Sequence, residues 1–387
     1  MRRATVIVMD ACGVGALPDA AAYGDEGTNT LAHLSELAGG LDLPTLGALG
    51  LGSVVALRGV PPAAEPVLHG RIGAQGPGKE STTGHWELMG VQVRRPLPTY
   101  PSGFPPDVVT ALHDATGLRF CCNRPFSGTE VLEVFGAHHL RTGEVILYTS
   151  ADSVLQLAAH VDRLSEPELY RACEAARNVM QGEHAVGRVI ARPFDGGVGS
   201  WRRREGRRDF ALPPPTRSYL EELQAAGVPV HGVGKVHDLF AGVGVDVKHA
   251  GATNAEGIAT TTALLSDPAD ALIFVNLVET DQVYGHRHDV AGFADALHEI
   301  DGAVAQWLPL LGDGDLLVLT ADHGVDPSTN HTDHTREYAP LLARFAGHGG
   351  RRHDGVLADV GASVFAWLTG EEVPGLPGTS FLGWSLP

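Results

Sequence analysis

The chain has 387 residues, 28 lysines and arginines against 46 aspartates and glutamates, a formal net charge of −18 and 43% apolar residues. That is enough apolar material for the cores of two or three domains, and it excludes a disordered chain. Apart from the run Arg202 to Arg208, basic residues do not cluster, which excludes a nucleic-acid backbone as the main partner; no apolar stretch approaches the ~20 residues of a membrane span.

At the amino terminus two arginines precede Ala-Thr-Val-Ile-Val-Met, too short for the apolar region of a secretory signal, so the expected location is the cytoplasm. Cys12, Cys121, Cys122 and Cys173 have no zinc-finger spacing and read as reduced thiols. The first strand is Thr5 to Met9. Gly78-Lys-Glu-Ser-Thr-Thr-Gly-His-Trp-Glu87 follows as a turn rich in hydroxyls. Further runs rich in Val, Ile and Leu, Val145 to Tyr148, Val186 to Ala191, Val228 to Val233, Leu272 to Val278 and Leu316 to Thr320, read as buried parallel strands. Between the last two, residues 292–311 place Phe293, Leu297, Ile300, Val304, Trp307 and Leu308 three and four apart, the spacing of a helix with one face in the core. Strand alternating with helix gives an α/β fold, a mainly parallel sheet covered by helices on both faces. Two proline-rich stretches, Arg95 to Pro106 and Ala211 to Thr216, have the composition of domain crossings. They predict a discontinuous core domain, residues 1–96 and 214–387, with an inserted α+β cap domain at 97–213.

Three of the apolar runs end in acids: Asp10, Asp281 after Glu279-Thr280, and Asp322 before His323. In a parallel sheet these positions fall at the carboxyl edge, where open α/β folds place ligands. Converging carboxylates repel one another unless something positive sits among them. His286, His288, His323, His331 and His334 occupy the adjoining loops. Aspartate and imidazole together suit Mn²⁺, Zn²⁺ or a similar divalent ion, with ligands enough for two. A hydroxyl among Ser81, Thr82 and Thr83 near such a site becomes a competent nucleophile.

The chain resembles the phosphopentomutase family of the alkaline phosphatase superfamily. The matching pieces are Val-Met-Asp10-Ala-Cys-Gly-Val-Gly, Gly-Lys79-Glu-Ser-Thr-Thr-Gly-His-Trp-Glu, Tyr-Thr-Ser-Ala-Asp152-Ser-Val-Leu-Gln, Gly-Arg188-Val-Ile-Ala-Arg-Pro-Phe, Gly-Lys235-Val, Tyr-Gly-His286-Arg, Thr-Ala-Asp322-His-Gly and Thr-Asp-His334-Thr-Arg-Glu-Tyr. They run in the family's order over nearly the whole chain. The resemblance implies an alkaline-phosphatase-like core in which Asp281, His286 and His334 hold one metal and Asp10, Asp322 and His323 the other, with Mn²⁺ the leading candidate. It implies that Ser81 carries a phosphoryl group, with Thr82 and Thr83 as neighbouring alternatives. It also assigns Asp152 to a sugar hydroxyl and Arg188, Arg203, Arg207 and Lys235 to substrate phosphate.

The implied reaction interconverts ribose 1-phosphate and ribose 5-phosphate, and the 2-deoxy sugars, through a sugar bisphosphate that also serves as activator. Pentose phosphates are then the partners, with neither nucleic acid nor membrane. The rivals are a cofactor-independent phosphoglycerate mutase or a phosphatase of the same superfamily, and a noncatalytic metal-binding protein. Five positions depart from the family pattern: Ser81 stands for a threonine, Glu279-Thr280 for Asp-Phe, Val325 for an asparagine and His288 for a second arginine.

Overall fold

The computed structural model describes residues 2–150, 152–267, 269–347 and 349–383. In chain order its strands are β1 (Arg3–Met9), β2 (Leu68–Gly73), β3 (Phe120–Pro125), β4 (Val145–Thr149), β5 (Val154–His160), β6 (Arg188–Asp195), β7 (Arg202–Arg203), β8 (Arg208–Ala211), β9 (Val230–Val233), β10 (Val247–His249), β11 (Ala271–Leu277), β12 (Asp315–Thr320), β13 (Ala339–Arg344) and β14 (Gly355–Val356). The chain divides into two units, Met1–Arg95 with Pro214–Pro387, and Pro96–Pro213.

In the larger unit a single sheet runs β10-β9-β11-β1-β12-β13-β2-β14. Strands β10, β9, β11, β1 and β12 are parallel, and β13 is antiparallel to both its neighbours. Every residue of β1 and β11 is buried, so helices cover both faces. The helix Val290–Trp307 buries Phe293, Leu297, Ile300, Val304 and Trp307. It starts two residues before the expected point, where the Asp289 carboxylate accepts from Gly292 N at 3.0 Å. It ends at Trp307, and half-buried Leu308 opens a separate 3₁₀ turn, Leu308–Leu310, that contains Pro309. Among the described residues no helix is long and apolar enough to cross a membrane.

The register of the central strands positions the site. Met9 lies opposite Leu277 and Val8 opposite Thr320, so β1, β11 and β12 finish level with one another. Strands β2 and β13 carry no sequence signal of a buried strand: β2 contains two glycines and β13 begins Ala-Pro.

The smaller unit is a mixed sheet, β3-β4-β5-β6-β7, with β8 on β6. Val145, Leu147, Leu155, Leu157 and Val189 pack with the helices Pro106–Thr116 and Glu166–Val179 in one core; Ile146, Tyr148, Ala158 and Phe194 pack with Val131 and Leu132 of the helix Glu130–Thr142 in another. Here the strand expected from Val186 begins at Arg188, and β4 is parallel to β3 but antiparallel to β5.

Candidate active site

Asp10 follows β1 directly and is fully buried. Asn276 Nδ2 donates to its Oδ2 at 3.0 Å, and Thr280 Oγ1 donates to its main-chain oxygen at 2.6 Å. Ala11, in the left-handed region at φ 63°, turns its N–H to Asp322 Oδ1 at 3.2 Å. The departure at Thr280 therefore adds a tie between β1 and β11. Asp281 sits in the turn Thr280–Tyr284 after β11, and Asp322-His323 follows β12.

Two imidazoles are oriented by carbonyls. His286 Nδ1 donates to Thr332 O at 2.6 Å and His323 Nδ1 to Gly324 O at 3.1 Å, which aims each Nε2 at carboxylates. His286 Nε2 is 3.3 Å and His334 Nε2 3.4 Å from Asp281 Oδ1. His323 Nε2 is 3.4 Å from both Asp10 Oδ1 and Asp322 Oδ2. Ligand atoms of Asp281, His286 and His334 lie within 4.8 Å of one another, as do those of Asp10, Asp281 and His323. Asp281 is thus shared between the two groups, and Asp322 adjoins the second through His323 while also facing His85 Nδ1 at 3.0 Å.

Buried Asp281 Oδ1, Asp322 Oδ2 and His334 Nε2 have no hydrogen-bond partner among the described residues. Such atoms need a cation or a proton, and their oxygen-and-imidazole chemistry fits divalent ions. The electrostatics agree. Burial acts to raise the Asp10 carboxyl, but the His323 hydrogen bond and the charge of Lys235 outweigh it and hold Asp10 well below the usual carboxylate range. Burial acts to lower His323, yet Asp322, Asp10 and Asp281 push it up to about 10. Burial and the neighbouring His323 charge lower His334, which favours its neutral form.

Ser81 opens the helix Ser81–Leu88, and its Oγ lies 3.0 Å from His323 Nε2 and 3.4 Å from Asp10 Oδ1. A helix N-terminus favours an oxyanion or phosphate there. Thr83 is buried with its hydroxyl donating to Glu80 O, and half-buried Thr82 makes neither of the Ser81 contacts. One turn further on, His85 Nδ1 donates to Ser81 O at 2.9 Å. Trp86 Nε1 donates to Leu239 O, and the Glu87 carboxylate accepts from Gln75 N and Gly76 N, fixing the far end of the helix. Lys235 follows the carboxyl end of β9, where its charge reaches Asp10.

A metalloenzyme superfamily pattern matches residues 2–371. The chain is 49% identical to the phosphopentomutase of Anaeromyxobacter dehalogenans strain 2CP-1, over 95% of this chain and 99% of that one. It is 43% identical to the phosphopentomutase of Acetivibrio thermocellus over 99% of each. The chain belongs to the phosphopentomutase family. This family member is therefore an isomerase, a phosphotransferase mutase, and a metalloenzyme that binds divalent metal. In fold it is similar to a phosphoglycerate mutase from Leishmania mexicana (TM-score 0.50, 12% identity, 98% of this chain and 97% of that one) and to the PH0037 protein of Pyrococcus horikoshii (TM-score 0.50, 15% identity, 97% and 98%). The alkaline-phosphatase-like fold expected from the motifs is the one observed.

In the smaller unit of this phosphopentomutase-family chain, the expected substrate residues gather around β6 and β8. Arg188 is 3.6 Å from Asp152 and 3.8 Å from Asp209, and Arg207 forks onto both Asp209 oxygens at 2.7 Å. Arg203, on β7, is exposed. Asp152 is exposed as well. Sequence reasoning missed Arg192, whose Nε donates to Gln156 Oε1 at 3.1 Å, and Tyr148 beneath it; burial raises the Tyr148 hydroxyl against the pull of Arg192, Arg203 and Arg207. Cross-strand pairing could have found them, since Tyr148 pairs with Gln156, and Arg188 and Arg192 share a face of β6. Cys121, His138 and Glu144 also converge, but the thiol donates to the carbonyls of Glu144 and Val145, and His138 Nε2 pairs with Glu144 at 2.7 Å.

Proposed function

We propose that the chain interconverts ribose 1-phosphate and ribose 5-phosphate, and their 2-deoxy counterparts, through a phosphoryl group carried on Ser81. The observation that carries this reading is the Ser81 oxygen at a helix N-terminus, 3.0 Å from His323 Nε2 and 3.4 Å from Asp10, where two groups of metal-ligating atoms meet. Asp281, His286 and His334 would hold one divalent ion, and Asp10, Asp322 and His323 the other. When bound, Mn²⁺ or a related ion supplies Lewis-acid charge that lowers the pKa of a hydroxyl and offsets the charge of a transferring phosphoryl group.

The chain's own residues do the rest. The first turn of the helix Ser81–Leu88 presents N–H groups to phosphate oxygens, and Lys235 adds a positive charge beside Asp10. Donation from phosphorylated Ser81 breaks the Oγ–P bond and forms a bond from phosphorus to the sugar hydroxyl oxygen, whose proton returns to Oγ. The product is a sugar bisphosphate, which returns its other phosphate to Ser81, so added bisphosphate should act as an activator. Asp152 meets a sugar hydroxyl, and Arg188, Arg203 and Arg207 take phosphate through guanidinium forks. The cytoplasm, where pentose phosphates are found, is the corresponding location.

Purified protein given ribose 1-phosphate should form ribose 5-phosphate, and intact mass should show one added phosphoryl group after incubation with the sugar bisphosphate. Ser81→Ala should lose the added mass and lower kcat by a factor on the order of 10³ or more. Turnover of 3-phosphoglycerate in place of the pentose would overturn the substrate assignment, and retention of the phosphorylated peptide in Ser81→Ala would move the nucleophile to Thr82 or Thr83.

A further inference from the structure

Asp25 is fully buried yet belongs to no ligand group of the site. Its Oδ2 accepts from Lys79 Nζ at 3.1 Å and from the main-chain N–H of Arg336 at 2.8 Å. Its Oδ1 has no hydrogen-bond partner among the described residues and lies 3.4 Å from His331 Nε2. Lys79 also stands 3.7 Å from Asp333 Oδ2. Lys79 is two residues before Ser81, Asp333 immediately precedes His334, and Arg336 is two residues after it.

The same loop makes a second set of ties. Asp19 holds the Arg336 guanidinium through both oxygens, at 3.1 and 3.0 Å, while Arg336 Nη1 donates to Gly78 O at 2.6 Å. The Tyr23 ring lies under that guanidinium at 5.0 Å, and its hydroxyl donates to Pro77 O at 3.0 Å. Residues 19–25 are therefore bonded on one side to 77–79 and on the other to 331–336.

Resting on the reading that Ser81 and His334 serve one active site, we propose that Asp25 is a positioning residue that fixes the Ser81 loop against the His334 loop through Lys79 and Arg336. A carboxylate in an enclosed place is tolerated only when paired and hydrogen-bonded. Because its partners come from two different loops, neither loop can shift without uncovering the charge. An apolar side chain would fill the space but would not enforce that spacing. Displacements near 1 Å are enough to cost about 10²-fold in rate.

The test is Asp25→Asn, which keeps the shape and removes the charge. At a temperature well below its own Tm, the variant should lose about 10- to 100-fold in kcat while KM for ribose 1-phosphate stays within about threefold, and Mn²⁺ affinity measured by titration calorimetry should fall about tenfold. Lys79→Gln should behave similarly, and the double variant should be no worse than the poorer single one. Unchanged kcat and Mn²⁺ affinity in Asp25→Asn, or losses that multiply in the double variant, overturn the proposal. If Asp25→Asn does not fold, Lys79→Gln decides with the same readouts: a loss of kcat at steady KM supports the role, and wild-type values overturn it. Failure of the wild type to convert any pentose phosphate would sink the proposed reaction, while the Mn²⁺ titrations would still decide the role of Asp25.

Discussion

Asn276 lies in β11, buried, and among the described residues its side chain is hydrogen-bonded only through Nδ2, to Asp10. It fixes which Asp10 oxygen faces Ser81 and His323. Asn276→Leu removes that donor at nearly constant volume, so Mn²⁺ affinity and kcat should each fall about 10- to 100-fold, as calorimetric titration and initial rates would show. Glu337 is a different kind of buried acid. Its Oε2 accepts from Gly15 N and Thr30 N, and its Oε1 from the hydroxyls of Thr30 and Thr335. Burial pushes Glu337 up from the ordinary value of 4.5 despite those bonds. A raised carboxyl binds its proton more tightly folded than unfolded. Its contribution to stability is therefore greatest at low pH and declines as pH rises from about 4.5 through the folded value. Glu337→Gln can turn an amide N–H₂ toward the two hydroxyls and keep an oxygen for the two amides. It should fold at pH 7 and lose this component of the pH dependence, whereas Glu337→Ala strands both amides and should cost about 2 kcal/mol or more. Urea midpoints between pH 4 and pH 7 would separate the three proteins.

At the scale of elements, the helix Ser81–Leu88 is set by what its far side touches. A Cβ added at Gly84 would stand 2.4 Å from Asp322 O and 2.7 Å from Asp322 Cβ, so the helix can approach the β12 loop only with glycine there. Gly84→Ala should push Ser81 away from His323, costing about 1–3 kcal/mol in stability and most of the activity, to be read from thermal melts and kcat. This closeness was not legible in Gly-His-Trp-Glu, which looks like a turn until the partner across the gap is known. Legibility followed burial. The runs of β1, β11 and β12 are apolar on both faces and end in acids, so the strands and the converging Asp10, Asp281 and Asp322 could be read directly from the chain. Strands β2 and β13 could not, because antiparallel pairing near a sheet edge tolerates their glycines and proline. Asn276 and Asp25 were hidden for another reason: each acts on a residue far away in sequence, and neither has a motif of its own. His85 was hidden with the helix itself, since the four-residue step that places it beneath Ser81 exists only once the segment is helical.

For the whole molecule, the net charge of −18 is unevenly spent: Asp10, Asp281 and Asp322 sit together at the level carboxyl ends of the three central strands. Without cations, the protonated His323 and nearby Lys235 offset that charge only in part. Divalent ions that bind the folded state alone add about 4 kcal/mol per site when free metal is 1,000 times Kd. Chelation should therefore lower the Tm by roughly 10 °C, and added Mn²⁺ should restore it. The two units should respond differently. Residues 96–213 have their own apolar cores and contain none of the aspartates and histidines of the two ligand groups around Asp281. Hydrogen exchange measured with and without chelator should show amides at the ends of β1, β11 and β12 losing protection first, while those of β4, β5 and β6 keep theirs. Equal loss across both units would mean that the metals stabilise the chain by some route other than these ligands. An unchanged Tm would mean that protonated His323 and Lys235 are charge enough for the carboxylates at the sheet edge, and that the aspartate and imidazole cluster does not bind metal.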